Sequence, residues 1–102
     1  MQFILVYANM LFIENKITKT LGNITRVKIL ACLGRSDKTV TELLSVCSLS
    51  QSAVSQHLSY LRKAGLVVCE RKGKYQVYKV IDNRLSILCK DILQLVEDLK
   101  KY

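Results

Sequence analysis

The sequence predicts a mainly α-helical fold with one small β-hairpin, in the order α-α-α-α-β-β-α. Apolar residues recur at helical spacing along most of the 102-residue chain, which contains no proline. Between Leu66 and Ile81 the pattern changes to Val, Tyr and Ile around a central Arg-Lys-Gly-Lys, which is typical of two strands joined by a tight turn at Gly73. All four glycines lie at expected element boundaries. Half of the residues are apolar, which suits a single domain over residues 1–102.

The first helix is predicted over residues 1–20. Its opening MQFILVYANMLFI is apolar over most of thirteen residues, yet it is shorter than the roughly 20 residues that cross a bilayer, and it lacks the basic start of a secretory leader. We therefore expect a buried helix and no membrane partner. So apolar a helix offers more surface than one small core can cover, which favours a subunit interface.

Two shorter helices are expected next. Residues 24–33 carry apolar side chains at helical spacing, and Gly34 follows as a closing residue. Thr39 followed by Glu42 is a capping-box pattern, which predicts the start of a third helix that ends near Cys47.

The fourth helix has the clearest pattern in the chain. Ser50 is a suitable N-cap, and Gly65 takes the C-terminal position. Its apolar residues recur at i, i+4 and i+7: Val54, Leu58 and Leu61. Together with the third helix and a turn of about three residues, it makes a helix-turn-helix unit over residues 39–64.

The polar face of the fourth helix carries short uncharged side chains. Residues 50–60 contain no charged side chain, whereas an ordinary solvated helix presents long charged residues and their i,i+4 pairs. A face of this kind can seat deeply in the roughly 12 Å wide major groove of DNA, where Ser and Gln bond base edges or phosphates. The predicted contacts are Ser52, Ser55, Gln56, Ser59 and Lys63.

A basic excess accompanies this helix. The net charge of +8 favours a polyanionic partner. Residues 62–79 contain six basic side chains and a single acid, Glu70. Arg71, Lys72 and Lys74 at the hairpin tip can reach phosphates or an adjacent minor groove and so anchor the helix.

The last helix is expected over residues 84–102, where helical periodicity returns. Its apolar side chains form a broad stripe: Leu85, Leu88, Ile92, Leu95, Val96 and Leu99. The apolar excess of the first and last helices predicts that they pair across a two-fold axis in a homodimer.

The strings LGNITRVKIL, TVTELL, LSQSAVSQHLSYLRKAGLV and RKGKYQVYKV span residues 21–80. Through them the chain resembles the arsenical-resistance repressor (ArsR) family of bacterial winged helix-turn-helix regulators. The resemblance implies a homodimeric, sequence-specific DNA-binding repressor with an inverted-repeat operator. It further implies dimerisation helices at 1–20 and 84–102 and a wing at 66–81. The implied recognition-helix contacts are Ser52, Ser55, Gln56, His57 and Ser59, and the implied wing contacts are Arg71, Lys72, Lys74 and Tyr75.

The same resemblance raises the question of an effector. The family's thiolate motif at the start of the third helix falls on residues 39–41, Thr-Val-Thr, and hydroxyls are poor ligands for soft metals. The family's alternative site on the last helix would leave Asp82 without imidazole partners, because His57 is the only histidine. We therefore expect no metal site and no cofactor.

Cysteine is the remaining candidate sensor. The four cysteines lie far apart without a Cys-x-x-Cys pair, which disfavours a zinc knuckle or disulfide scaffold and indicates a reducing cytoplasm. Thiol-responsive relatives pair cysteines of the second and last helices, which makes Cys32 and Cys89 candidate redox residues. By alignment, however, the usual positions fall on Ala31 and near Asp98. Inert burial is the alternative, with Cys89 filling the dimer interface.

Other classes of function have weaker support. The chain has no nucleophile elbow and no Gly-rich phosphate loop, so we expect no enzyme activity. A winged-helix protein-interaction module would not need an uncharged Ser and Gln face beside a basic hairpin. RNA is disfavoured because the A-form major groove is too narrow for a helix. Repression or activation, and the existence of any effector, stay open at this point.

Overall fold

The computed structural model describes residues 2–34 and 36–102, so Met1 of the predicted first helix lies outside the described residues. The elements are α1 Gln2–Leu21, α2 Ile24–Leu33, α3 Val40–Cys47, α4 Gln51–Lys63, β1 Val67–Lys72, β2 Tyr75–Val80 and α5 Asn83–Leu99. The predicted order α-α-α-α-β-β-α is confirmed.

Side-chain caps set the starts of the central helices. The capping box is present: the Glu42 backbone N–H donates to Thr39 Oγ1 at 3.2 Å, and the Thr39 backbone N–H donates to Glu42 Oε1 at 3.1 Å. Ser50 Oγ caps α4 by accepting from the backbone N–H of Ala53 at 3.3 Å. Gly65 ends α4 with φ +76, a left-handed conformation that favours glycine.

The core is centred on α2, which packs against α5, α4, α3 and α1. The predicted inner face of α4 is confirmed, because its three apolar side chains have at most 2% of their surface exposed. The largest fully buried apolar side chains are Val27, Ile29, Leu30, Leu43, Val54, Leu58, Leu61 and Val67.

The hairpin is antiparallel and is tied to the helix-turn-helix. Its register runs from Val67 opposite Val80 to Lys72 opposite Tyr75, which leaves a two-residue turn that begins at Gly73 with φ +62. The backbone of Lys38, just before α3, pairs with that of Tyr78: the two N–H to O distances are 3.1 and 2.7 Å. The hairpin therefore has a fixed position relative to α3 and α4.

The first half of α1 is not buried within one protomer, although the sequence suggests a buried helix. Its large apolar side chains between residues 4 and 13 are 43–72% exposed. The helix packs against α2 through its C-terminal turns, where Ile17 and Leu21 join the core and Thr20 is fully buried. The radius of gyration, 15.1 Å, exceeds the roughly 13 Å of a compact 100-residue domain. No helix among the described residues is both long and apolar enough to span a membrane.

α5 packs closely on α2. Ser86 and Cys89 are fully buried, and Ser86 Oγ donates to the backbone oxygen of Ala31 at 3.3 Å. The suggestion that Cys89 fills a dimer interface is therefore wrong, because this side chain already lies in the core of a single chain. Gly34 ends α2 with φ −73, so its role is not a left-handed cap. A Cβ at Gly34 would instead overlap Ser86 Oγ and lie 2.6 Å from Ser86 Cβ.

We expect Gly34→Ala to lower the free energy of unfolding by about 1–3 kcal/mol, because the added methyl group forces α2 and α5 apart. Gly22→Ala is the matched control. Its Cβ would lie 3.4 Å or more from any neighbouring atom, which is ordinary contact. Urea unfolding of both variants makes the comparison, and equal midpoints would contradict the close approach of α2 to α5.

Candidate nucleic-acid interface

The exposed face of α4 presents the side chains that the sequence pattern assigned to it. Ser52, Ser55, Gln56 and Ser59 are all exposed, and their spacing of three and four residues places them in one stripe along the helix. The stripe lies outward because the apolar residues of the same helix occupy the core. The polar side chains of the stripe are short, so a large partner can approach the backbone of α4.

His57 differs from the stripe in being half-buried. Burial, and secondarily the charge of Arg26, lower its pKa below the usual 6.5. The imidazole is therefore neutral at pH 7, with one donor and one acceptor nitrogen. The structure thus places this predicted contact at a less accessible position than the four side chains of the stripe.

The C-terminal end of α4 is basic, and it continues onto α1. Arg62 and Lys63 are exposed in the last turn of α4. Lys63 borders a shallow cleft between the two helices together with Lys16 and Lys19. The two α1 lysines were not among the residues predicted for the site, although their i,i+3 spacing places them on one face of the helix.

The wing extends the basic surface. Arg71, Lys74 and Tyr75 are exposed, as predicted, and neither Arg71 nor Lys74 forms an ion pair with any residue that the structure describes. Lys72 is different, because its Nζ lies 3.2 Å from Oδ2 of Asp37. No sequence pattern indicates this pair, which joins residues 35 positions apart. Lys72 is therefore partly neutralised, whereas Arg71 and Lys74 near the hairpin tip keep their full charge.

At the family's two metal-binding positions, the side chains of this chain cap helices. The hydroxyl of Thr39 caps α3. Asp82 caps α5 and pairs with Arg84 at 2.8 Å, and the hydrogen bond from Arg84 lowers the Asp82 pKa to about 2. Within residues 2–34 and 36–102, no three side chains of His, Cys, Asp or Glu are grouped so as to hold a metal ion.

The cysteines are not arranged as the expected pairing of Cys32 with Cys89 requires. Cys32 Sγ lies 2.8 Å from Cys47 Sγ, so the sulfur contact of Cys32 is with α3. Cys89 lies in the core, where burial raises its pKa to about 11. Cys69 on β1 is half-buried.

Comparison with known proteins gives consistent results. Residues 23–68 match the family model described as bacterial regulatory protein, arsR family. A helix-turn-helix transcriptional regulator of Methanocaldococcus jannaschii, MJ1325, is 32% identical over 85 residues, which cover 82% of this chain and 91% of the relative. The transcriptional repressor SmtB of Mycobacterium tuberculosis is 33% identical over 76 residues, covering 74% of this chain and 56% of SmtB.

The fold has a close counterpart among solved structures. The homodimeric winged helix-turn-helix DNA-binding domain of Mb0332 from Mycobacterium bovis superposes with a TM-score of 0.72 at 26% identity. The match covers 94% of this chain and 90% of that domain. The family match, the relatives and the shared fold together show that this chain belongs to the ArsR family and is a DNA-binding transcriptional regulator, not an enzyme.

Proposed function

We propose that this protein binds an inverted-repeat operator in double-stranded DNA as a homodimer and represses transcription. The observation that carries the proposal is the exposed, uncharged stripe on α4, which is accompanied by exposed basic side chains in the last turn of the same helix and on the wing. Repression is the direction named for SmtB. A winged-helix module that binds only proteins would have no use for this combination of surfaces.

In this proposal the stripe enters the major groove. Gln56 has the amide that can bond both N6 and N7 of an adenine, and each good bidentate contact discriminates by about 1–3 kcal/mol. Ser52, Ser55 and Ser59 add shorter hydroxyl contacts to bases or phosphates. Lys63 and the neutral His57 contact the backbone and groove edge beside them.

The wing supplies contacts that fix position more than sequence. Arg71 and Lys74 carry free positive charge at the hairpin tip, and Tyr75 adds a hydroxyl. Phosphate contacts of this kind orient a protein on the duplex without reading its sequence. Lys72 contributes less than the sequence suggests, because Asp37 already offsets its charge.

The homodimer follows from exposed apolar surface on α1 and α5. Leu88, Leu95 and Leu99 of α5 are 45–58% exposed, and the large apolar side chains in the first half of α1 are also exposed. Patches of this extent on a small domain mark interfaces. A two-fold dimer places its two recognition helices one or more helical turns apart, each about 34 Å. Mb0332, which has the same fold, is described as homodimeric.

We further propose that the protein acts in the cytoplasm and without a bound metal or cofactor. Its partner is DNA, and the family's metal positions here offer threonine hydroxyls and a carboxylate that already caps a helix.

We expect Gln56→Ala to weaken binding to an operator selected from random duplex DNA by at least about thirtyfold, because the dimer loses two base contacts of about 1–3 kcal/mol each. Binding to unrelated DNA should change little, because that binding depends on phosphates. Gln94→Ala, an exposed glutamine on α5, is the control. Equal losses on both DNAs in fluorescence anisotropy titrations would exclude a base-reading role for Gln56. Failure to select any sequence would contradict specific DNA binding.

Lys74→Ala should flatten the salt dependence of binding. Each lost phosphate contact reduces the slope of log K against log salt concentration by about 0.9, so a dimer loses about 1.8. Lys101→Ala removes an exposed charge beyond the end of α5 and serves as the control. An unchanged slope for Lys74→Ala would show that the wing does not touch phosphate.

Leu95→Lys should convert the dimer to monomers, because it places a charge in the proposed interface. Val46→Lys is a matched control: Val46 on α3 is 58% exposed and Leu95 is 57% exposed. Analytical ultracentrifugation should give twice the chain mass of 11.6 kDa for the unmodified protein and for Val46→Lys. A dimer that persists in Leu95→Lys would place the interface elsewhere.

A further inference from the structure

We infer that Cys32 and Cys47 form a peroxide-sensitive dithiol, which closes to a disulfide and lowers the affinity of the regulator for its operator. The two thiols come from α2 and from the last residue of α3, and their sulfurs lie 2.8 Å apart. A disulfide joins sulfurs at about 2.05 Å, so closure requires a movement of less than about 1 Å. The effect on DNA rests on the proposed function, whereas disulfide formation does not.

The surroundings of the pair give the two thiols different roles. A hydrogen bond from Cys47 and the charges of Lys38 and Lys90 lower the Cys32 pKa from 9.0 to about 7, against the opposing effect of burial. The same hydrogen bond, with burial, raises the Cys47 pKa, although Lys28 and Lys38 oppose this. Near neutral pH, about half of the Cys32 thiol is therefore ionised and can act as the nucleophile, while Cys47 stays protonated and can act as the resolving thiol.

The proposed oxidant is hydrogen peroxide. The Cys32 thiolate attacks one peroxide oxygen, the O–O bond breaks, and with one proton the products are a sulfenic acid and water. Cys47 sulfur then attacks Cys32 sulfur. The S–S bond forms, the S–O bond breaks, and the proton of Cys47 leaves with the hydroxyl as a second water. In total, the two thiols lose two electrons and two protons to one hydrogen peroxide.

The other two thiols do not share this arrangement. Cys89 is fully buried, and its raised pKa keeps it protonated. Cys69 neighbours the hydroxyl of Tyr78. Among the described residues, Cys32 and Cys47 are the two cysteines whose sulfur atoms are in contact.

The position of Cys47 connects the thiol pair to the DNA-binding face. Cys47 ends α3, Ser48 follows in the left-handed conformation with φ +54, and Ser50 caps α4. A bond that draws Cys47 toward α2 therefore displaces the start of α4, where Ser52 lies. We expect operator affinity to fall at least about fivefold, the lower end of typical couplings between sites.

Peptide mapping tests the disulfide directly, because trypsin places every cysteine on its own peptide. Cleavage after Lys and Arg gives peptides 29–35, 39–62, 64–71 and 85–90, which carry the four cysteines in order. After treatment of the reduced protein with equimolar hydrogen peroxide, we expect linked peptides 29–35 and 39–62, and a fall from four free thiols to two. A link between any other pair, a link between two chains, or four remaining thiols would overturn the proposal.

Three variants separate the roles of the thiols. Cys47→Ser keeps a hydroxyl donor beside Cys32, so peroxide should stop at a sulfenic acid that a cyclic dione traps on peptide 29–35. Cys32→Ser should trap none on peptide 39–62. Cys69→Ser is the matched control and should still form the link. Trapping on peptide 39–62 of Cys32→Ser at an equal rate would refute the assigned nucleophile.

The DNA readout uses the same samples on the selected operator. We expect peroxide to weaken binding of the unmodified protein and of Cys69→Ser, dithiothreitol to restore it, and Cys47→Ser to lose no affinity at the same peroxide dose. A complete disulfide with unchanged affinity would refute the regulatory effect. Reduced protein that binds no operator would refute the proposed function instead, while linked peptides would still support the dithiol.

Discussion

The orientation of α4 about its own axis is the constraint on which the rest of the structure depends. Val54, Leu58 and Leu61 are buried against α2 and its neighbours, and burial of each such side chain stabilises the fold by about 1.5–3 kcal/mol. A turn of α4 about its axis would expose these side chains and bury Ser55 and Gln56 without partners. The apolar face therefore determines which polar side chains α4 presents to DNA in the proposed complex, although no apolar residue need touch the duplex.

Two further contacts fix the position of the wing relative to the helix-turn-helix. Lys38 pairs its backbone with Tyr78, and the Lys72 ammonium meets Asp37 at 3.2 Å. Both contacts join the segment before α3 to the hairpin. The exposed ion pair contributes only about 0–1 kcal/mol, so the backbone pairing carries most of the restraint. In the proposed complex, α4 and the wing thus approach the duplex as one rigid surface, which reduces the entropy lost on binding.

Local patterns predicted the elements well because their causes are local. A capping box at Thr39 and Glu42, a cap at Ser50 and a glycine at 65 lie within a few residues of the ends that they determine. The outward stripe of α4 was predictable for the same reason, since helical periodicity fixes one face once the other is buried.

Contacts between distant parts of the chain were not predictable from these patterns. The pairing of Cys32 with Cys47 depends on how α2 crosses α3, and the neutralisation of Lys72 depends on a loop 35 residues away. Gly34 was correctly placed at a helix end, but for the wrong reason, because its packing against Ser86 involves another helix. Spacing in sequence carries no information on such crossings.

The uncovered half of α1 links assembly to folding. An isolated helix is marginal in water, and this one has apolar side chains exposed over residues 4–13 with few contacts to its own core. In the proposed dimer, a second chain covers that surface, and the helix gains its stability from the interface. The stability of the protein then depends on its concentration, as it does for obligate homodimers. The same dependence would govern DNA binding, because a two-fold operator requires both recognition helices at once.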